Sequence, residues 1–203
     1  MGNYRVGVLA LQGDFREHVM RLRSLGCDVT EIRRASELEE IEALVLPGGE
    51  STAVAILEGA ESGFTTNASR EVHGLFDTIR AKGLAGLPIW GTCMGSILLA
   101  KEIEGSKQGR LALMDIKVRR NAFGPQRFSA EQPIEIPSFG EPAFPGVFIR
   151  APLILSTGAS VEILARVEEG IVMAREKNLL ATVFHPEVVG DSRVHEYFLN
   201  MIR

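Results

Sequence analysis

The first half of the chain alternates short apolar runs with segments whose apolar residues recur at helical spacing. The apolar runs predict strands at 5–11, 28–32, 43–46 and 87–90. The helical spacing predicts helices over 14–25, from near Ser51, over 72–82 and over 94–102. Strands that alternate with helices need crossover connections. The pattern therefore predicts an α/β fold, a mostly parallel sheet with helices on both faces.

The second half of the chain has a different pattern, in which short apolar or alternating runs follow one another without long helical segments. These runs predict strands at 110–119, 128–136, 146–149, 161–167, 171–175 and 180–184, before a closing helix over 194–202. Consecutive strands favour antiparallel pairing, which predicts an antiparallel extension of the central sheet. The intervening segment 59–69 is rich in Gly, Ser, Thr and Asn and predicts a surface loop.

Length and charge narrow the class of protein. With 203 residues, the chain fits one domain over 1–203. The formal net charge is −4 and there is no long basic run, which argues against binding to nucleic acid. The apolar run at 6–11 is too short to span a membrane or form a signal-peptide core, so we expect a cytoplasmic protein.

The two cysteines lie far apart, and in a reducing compartment we expect both to be free thiols. The sequence contains neither a Cys-x-x-Cys nor a His-Glu-x-x-His spacing. We therefore predict no metal site and no cofactor.

One of the two cysteines, Cys93, lies between glycines in the stretch WGTCMGS. Gly91 and Gly95 have the two-residue spacing of a nucleophile elbow, with cysteine in place of serine. Such a turn between a strand and a helix raises the sulfur above the sheet edge, and the helix N-terminus favours the thiolate. A buried structural cysteine is an equally good interpretation of this pattern alone.

A thiolate nucleophile needs a base, and the chain has four histidines. His185 follows a predicted strand in the sequence FHPE, and Glu187 is placed to accept a hydrogen bond from its imidazole. His18, His73 and His195 fall in predicted helices and are weaker candidates, and His18 is expected at the surface or facing a partner. The pattern predicts a Cys93–His185–Glu187 triad.

Acyl transfer also needs donors for the oxyanion. The sequence LPGGEST follows another predicted strand, and its glycines leave a backbone N–H exposed. We predict an oxyanion hole formed by the amides of Gly49 and Met94. A plain turn is the alternative, and a phosphate loop is disfavoured because the Gly-Lys-Ser/Thr ending is absent.

Together these stretches resemble the class I (triad-type) glutamine amidotransferases. The resemblance is greatest to the family of glutaminase subunits that serve pyridoxal 5′-phosphate synthases in vitamin B6 biosynthesis. It is carried by VGVLALQGDFREH, LPGGEST, GTCMGSILLAKEI, RRNAFGPQ, GVFIRAP and FHPE, which together extend from residue 6 to residue 187. It implies a flavodoxin-like, three-layer α/β fold.

The resemblance also implies a reaction and its residues. Cys93 would attack the side-chain amide of L-glutamine and form a glutamyl thioester, with release of ammonia and then of glutamate. By motif position, the residues expected to bind glutamine are Gly49, Glu50, Ser51, Arg120, Ile149 and Arg150. The expected partner is the (β/α)8-barrel synthase subunit, and Gln12 is a candidate residue for that interface.

The chain departs from the family pattern in three places. Met94 replaces the usual alanine, Pro125 interrupts the usual Arg-Gln continuation, and the segment 59–69 is longer than the usual link. None of these is a triad position. Two other functions remain open from the sequence. One is a different enzyme on the same elbow, such as an amidotransferase subunit of another biosynthetic pathway or a cysteine hydrolase. The other is a non-catalytic binding module on the same fold.

Overall fold

A computed structural model describes residues 3–11, 13–49, 67–122 and 130–202 of the chain. Gln12, Glu50 and Ser51 lie outside these residues, as does the predicted start of a helix near Ser51. Most of the predicted loop at 59–69 lies outside them too. Its last three residues, 67–69, form the beginning of a helix instead of a loop.

The central sheet has ten strands among the described residues. Their order is β2-β1-β3-β4-β12-β11-β9-β6-β5, and β10 pairs with β11 outside this path. The strands are β1 (Arg5–Leu9), β2 (Asp28–Ile32), β3 (Ala43–Leu46), β4 (Ile89–Thr92), β5 (Ala100–Ile103), β6 (Met114–Arg119), β9 (Leu153–Thr157), β10 (Glu162–Val167), β11 (Gly170–Glu176) and β12 (Leu179–Thr182). A separate antiparallel hairpin pairs β7 (Ala130–Ile134) with β8 (Phe144–Phe148).

The pairing confirms the predicted α/β architecture. Strands β2, β1, β3, β4 and β12 run parallel to one another, whereas β11 runs antiparallel to β12, β9 and β10. The three inner strands β3, β4 and β12 are fully buried at all four of their residues, because both faces of this part of the sheet are covered.

Four helices occur among the described residues: α1 (Phe15–Ser24), α2 (Asn67–Leu84), α3 (Met94–Leu99) and α4 (Arg193–Leu199). The prediction of one helix over 94–102 is wrong at its end. The helix stops at Leu99, and Ala100 takes an extended conformation that begins β5. Pairing of β5 with β6 provides backbone hydrogen bonds that the local helical pattern does not anticipate.

Strand β9 is a second strand, besides β5, that the apolar pattern missed. Two of its residues are buried, two are partly exposed and one is exposed to solvent, and the strand pairs with β6 and β11. In the part of the chain that the structure covers, no helix is long and apolar enough to cross a membrane. The carboxyl ends of β1, β3, β4 and β12 meet at one edge of the parallel sheet, where ligands bind in open α/β folds.

Candidate active site

Cys93 occupies a strained turn between β4 and α3. Its φ is 47° and its ψ is −110°, in a region that non-glycine residues rarely adopt. The turn is held by its neighbours: Cys93 N–H donates to Thr182 O at 2.8 Å, and the hydroxyl of Ser96 donates to Cys93 O at 2.6 Å. Strain of this kind costs roughly 1–3 kcal/mol and clusters at functional sites. The geometry is that of the predicted nucleophile elbow.

The two glycines that flank Cys93 are required by close backbone approaches. A Cβ on Gly95 would lie 1.9 Å from Leu46 O, in the neighbouring strand β3. A Cβ on Gly91 would lie 2.4 Å from Gly95 O, at the start of the following helix. Any side chain at either position would push α3 away from the sheet, so the elbow depends on both glycines.

His185 and Glu187 lie at the end of the adjacent strand β12. Pro186 begins a short 3-10 turn immediately after His185, which brings Glu187 back towards the imidazole. His185 Nδ1 lies 2.7 Å from Glu187 Oε1, a hydrogen-bonding distance. Both side chains are nearly fully buried, as is Cys93, which is 4% exposed. A second contact anchors the backbone, since His185 N–H donates to Val147 O on β8.

The electrostatics of this cluster favour a charged imidazole. Burial alone would lower the pKa of His185, but hydrogen bonding and charge interactions with Cys93 and Glu187 raise it to about 11. Burial raises the pKa of Glu187, and its interactions with His18 and His185 outweigh burial and hold it below the ordinary value. A negative Glu187 beside a positive His185 is therefore the favoured state.

The loop of Gly48 and Gly49 after β3 lies against His185 and Cys93. A Cβ on Gly48 would lie 2.8 Å from His185 Cε1 and 3.2 Å from Cys93 Cβ, so the loop backbone touches both residues. Gly49 has a φ of 80°, and a Cβ on it would lie 2.8 Å from the Cα of Gly13. The loop that carries the predicted oxyanion donor Gly49 therefore packs against Gly13, in the turn after β1, as well as against Cys93.

The other predicted oxyanion donor is the amide of Met94. Met94 is the first residue of α3, and its side chain is partly buried against the hydrophobic core. The long side chain that replaces the family's usual alanine thus contributes to packing. An oxyanion position between the two amides stays a prediction.

The structure brings part of the predicted glutamine-binding set close to Cys93. The thiol of Cys93 lies 3.8 Å from Ile149 O, so Ile149 lies beside the predicted nucleophile. Arg150 follows with a φ of 46° and an exposed side chain. Arg120 lies in the turn after β6, which is tied to this segment by a hydrogen bond from Ala122 N–H to Ala151 O at 3.1 Å.

The arginines near β6 have different surroundings. Nη1 of Arg120 donates to Oε1 of Gln108, a buried side chain whose Nε2 has no partner among the described residues. Arg119 forms an ion pair with Glu104 on the surface. Glu50, Ser51 and Gln12 cannot be placed, because they lie outside the described residues.

Asp14 is a residue near the site that the sequence analysis missed. Its Oδ2 lies 3.5 Å from His185 Nδ1, and its carboxyl is 45% exposed. Burial raises the pKa of Asp14, with an opposing effect from the charge of His185. Asp14, His185 and Glu187 bring their ligand atoms within 4.8 Å of one another, as metal ligands do. Since Glu187 Oε1 already lies 2.7 Å from His185 Nδ1, we assign the group to the predicted triad.

The prediction that His18 lies at the surface or faces a partner is wrong. Its side chain is fully buried, and its Nε2 lies 3.3 Å from Glu187 Oε2. His195 is buried beside it, with its Nε2 3.2 Å from His18 Nδ1. The position of His18 one turn into α1 carries a signal that was available: Phe15, Val19 and Leu22 share its side of the helix.

Comparison with known proteins gives consistent matches over nearly the whole chain. The sequence profile of the SNO glutamine amidotransferase family matches residues 8–203. The pyridoxal 5′-phosphate synthase subunit PdxT of Pelotomaculum thermopropionicum is 51% identical over 197 residues, covering 96% of this chain and 93% of that protein. The protein of the same name from Carboxydothermus hydrogenoformans is 46% identical over 198 residues, covering 98% and 97%.

Solved structures agree with the sequence matches. A crystal structure described as a glutamine amidotransferase superposes with a TM-score of 0.84 at 43% identity, covering 97% of this chain and 98% of the other. The structure of PurLQS from Thermotoga maritima superposes with a TM-score of 0.65 at 16% identity, covering 100% of each chain. The second likeness concerns the fold alone.

Proposed function

The chain belongs to the SNO glutamine amidotransferase family, and on that premise we propose that it is the glutaminase subunit of a pyridoxal 5′-phosphate synthase. It hydrolyses L-glutamine to L-glutamate and ammonia and delivers the ammonia to the synthase subunit. The names of relatives that are 46–51% identical over nearly the full length support this function. We treat residues 1–203 as a single glutaminase domain that acts in the cytoplasm.

The observation that carries the chemistry is the cluster of Cys93, His185 and Glu187 at one sheet edge. Glu187 Oε1 occupies His185 Nδ1 at 2.7 Å, which leaves Nε2 as the nitrogen available for proton transfer. Nε2 makes no hydrogen bond of standard geometry within the described residues, while Cys93 interacts closely enough with His185 to raise its pKa. This is the arrangement of a nucleophile, a base and an orienting acid.

The reaction then proceeds in two halves. The Cys93 sulfur attacks the side-chain amide carbon of glutamine, and the imidazolium of His185 gives its proton to the departing nitrogen, which leaves as ammonia. Water next attacks the glutamyl thioester, with His185 accepting a proton from it, and glutamate and the Cys93 thiol are released. Backbone amides of Gly49 and Met94 stabilise the oxyanion in both halves.

The residues proposed to bind glutamine are assigned by their positions in the motifs and by their location near Cys93. Ile149 contacts the nucleophile directly, and the turns that carry Arg120 and Arg150 are joined by a backbone hydrogen bond. An arginine in this region suits the α-carboxylate of glutamine, because a guanidinium forms paired hydrogen bonds with a carboxylate. Glu50, Ser51 and Gly49 complete the proposed set.

The partner is proposed to be a (β/α)8-barrel synthase subunit that docks near the turn after β1. Gln12 directly precedes Gly13 in the sequence. Gly13 packs directly on Gly49 of the predicted oxyanion loop. A partner that docks at this turn therefore acts on a segment that directly contacts the proposed catalytic loop. We propose that the partner sets the geometry of that loop.

A two-substrate assay tests the proposal. The full chain, mixed with the synthase subunit, should support pyridoxal 5′-phosphate formation from glutamine as well as from ammonia. Cys93→Ala should abolish the glutamine-dependent reaction and leave the ammonia-dependent one. Cys27→Ala is the matched control, because Cys27 is the other buried free cysteine and should leave both reactions intact.

Two results would contradict the proposal. If Cys93→Ala still used glutamine, the nucleophile would be another residue. If wild type hydrolysed no glutamine even with the synthase subunit present, the activity itself would be wrong.

A further inference from the structure

Two buried imidazoles lie behind the acid of the triad. His18 on α1 and His195 on α4 are both fully buried, and their rings are 5.2 Å apart between centroids. Both pack edge-on against Trp90 of β4, at centroid distances of 5.3 Å and 4.9 Å. The proposed reaction uses neither ring, yet burying two imidazoles is costly unless their nitrogens are paired.

The pair reaches the triad through Glu187. His18 Nε2 lies 3.3 Å from Glu187 Oε2 and 3.2 Å from the hydroxyl oxygen of Thr92, the residue before the nucleophile. Within the described residues, Oε2 makes no hydrogen bond of aligned geometry, so His18 is the group positioned to serve it. The other oxygen, Oε1, is on His185 Nδ1 at 2.7 Å.

The protonation of the pair follows from burial and from what a carboxylate can accept. Burial lowers the pKa of His18, against the opposing charge of Glu187, and holds the pKa of His195 well below its ordinary value, which favours the neutral form of both rings. A carboxylate only accepts hydrogen bonds, so His18 Nε2 must carry the proton that faces Glu187 and Thr92. His18 Nδ1 is then an acceptor, and His195 Nε2 donates to it across 3.2 Å.

We propose that His18 is a positioning residue for glutamine hydrolysis, with its Nε2–H, oriented by His195, restraining Glu187 Oε2 so that Oε1 stays on His185. This inference rests on the proposed function. Without a donor at Oε2, a buried carboxylate oxygen is left unpaired, and the carboxylate gains freedom to rotate away from the imidazole. Orienting partners of this kind act on the rate of the chemical step rather than on substrate binding.

Three substitutions at His18 separate positioning from mere support of the fold. His18→Leu keeps the bulk and removes the donor, and its glutaminase kcat should fall roughly 10–100-fold with KM nearly unchanged. His18→Gln places an amide N–H near the Nε2 position and should recover most of the rate. His18→Asn is equally polar, but its amide reaches only the Nδ1 position, so it should behave like the leucine variant.

The assay measures glutamine hydrolysis by the full chain in complex with the synthase subunit, together with thermal unfolding. Asn178→Ala is a matched control for the loss of partly buried side-chain hydrogen bonds. Its Nδ2 donates to Gly83 O and Leu87 O at the opposite end of the parallel strands, so kcat should stay at the wild-type value.

The outcomes distinguish this inference from the proposed function. A folded His18→Leu variant with wild-type kcat would overturn the positioning role, as would equal activity of the glutamine and asparagine variants or a change confined to KM. If the leucine variant does not fold, the comparison of His18→Gln with His18→Asn still decides. Absence of glutamine hydrolysis by wild type would refute the proposed function instead.

Discussion

Replacing Gly48 by alanine should damage catalysis while leaving the fold nearly intact. The new methyl group would lie 2.8 Å from His185 Cε1, 3.2 Å from Cys93 Cβ and 3.4 Å from His185 Nδ1, which are its three nearest atoms among the described residues. Gly48 is not among the glycines with positive φ, so alanine adds no backbone strain. The clash therefore falls on His185 and Cys93, the two side chains proposed to carry out catalysis.

The size of the effect follows from the overlap. Carbon atoms rest at about 3.5–4.0 Å, so the imidazole must move away by roughly 0.7 Å or more. A displacement of about 1 Å in a catalytic group can cost roughly 100-fold in rate, so we expect kcat to fall by about 10–100-fold. The overpacking itself should cost about 1–3 kcal/mol, which lowers Tm by roughly 2–12 °C in a chain of this size.

The measurement is glutamine hydrolysis in complex with the synthase subunit, alongside alkylation of Cys93 by a glutamine-analogue electrophile. Gly190→Ala is the matched control, since a Cβ there meets nothing within 4 Å and φ is not positive. It should match wild type in both assays. Wild-type kcat in Gly48→Ala would refute the reasoning, because it would mean that the loop does not rest on His185 in the active complex.

Three further predictions concern the elbow, the acid and a helix. Gly95→Ala places a Cβ 1.9 Å from Leu46 O and should lower the free energy of unfolding by at least about 1–3 kcal/mol. Denaturant titration measures this loss, and an unchanged unfolding midpoint would contradict the close approach. Glu187→Gln removes a negative charge that favours the imidazolium, so the pKa of His185 should fall from about 11. The alkaline limb of the pH–rate profile should then move to lower pH. An alkaline limb at the wild-type pH would count against the ion pair between His185 and Glu187. Gly74→Ala, inside α2 with nothing within 4 Å of its Cβ, should raise Tm by a few degrees through about 0.5–1 kcal/mol of helix propensity, and a lower Tm would show an unrecognised contact.

The local features of the site were predictable from the sequence because each depends on neighbouring residues. The spacing of Gly91, Cys93 and Gly95 implies a turn that only small flanking residues permit, and the structure shows that turn at a φ of 47°. Likewise, Pro186 between His185 and Glu187 restricts the chain enough to bring the carboxylate onto the imidazole. The parallel half of the sheet followed in the same way, since buried strands leave continuous apolar runs.

The resemblance to a known family supplied what these local patterns left open. The elbow pattern alone supports a buried structural role for Cys93 as well as it supports a nucleophile. The motifs LPGGEST, RNAFG and FIRAP, together with the triad positions, linked the chain to glutamine chemistry, and the family match over residues 8–203 agrees. The glutamine-binding roles of Arg120 and Arg150 still rest on that resemblance.

Other features were decided by tertiary structure alone. Strand β5 replaces the end of a predicted helix because β6 offers it backbone partners, and the apolar pattern of 100–103 does not reveal that neighbour. His18 and His195 lie far apart in the sequence, and only the packing of α1 and α4 around Trp90 brings them together behind Glu187. A sequence determines which turns and faces a segment can form, because those depend on adjacent side chains. Which segments share a buried space depends on the packing of the whole sheet. That packing places His18 and His195 behind Glu187 of the proposed triad.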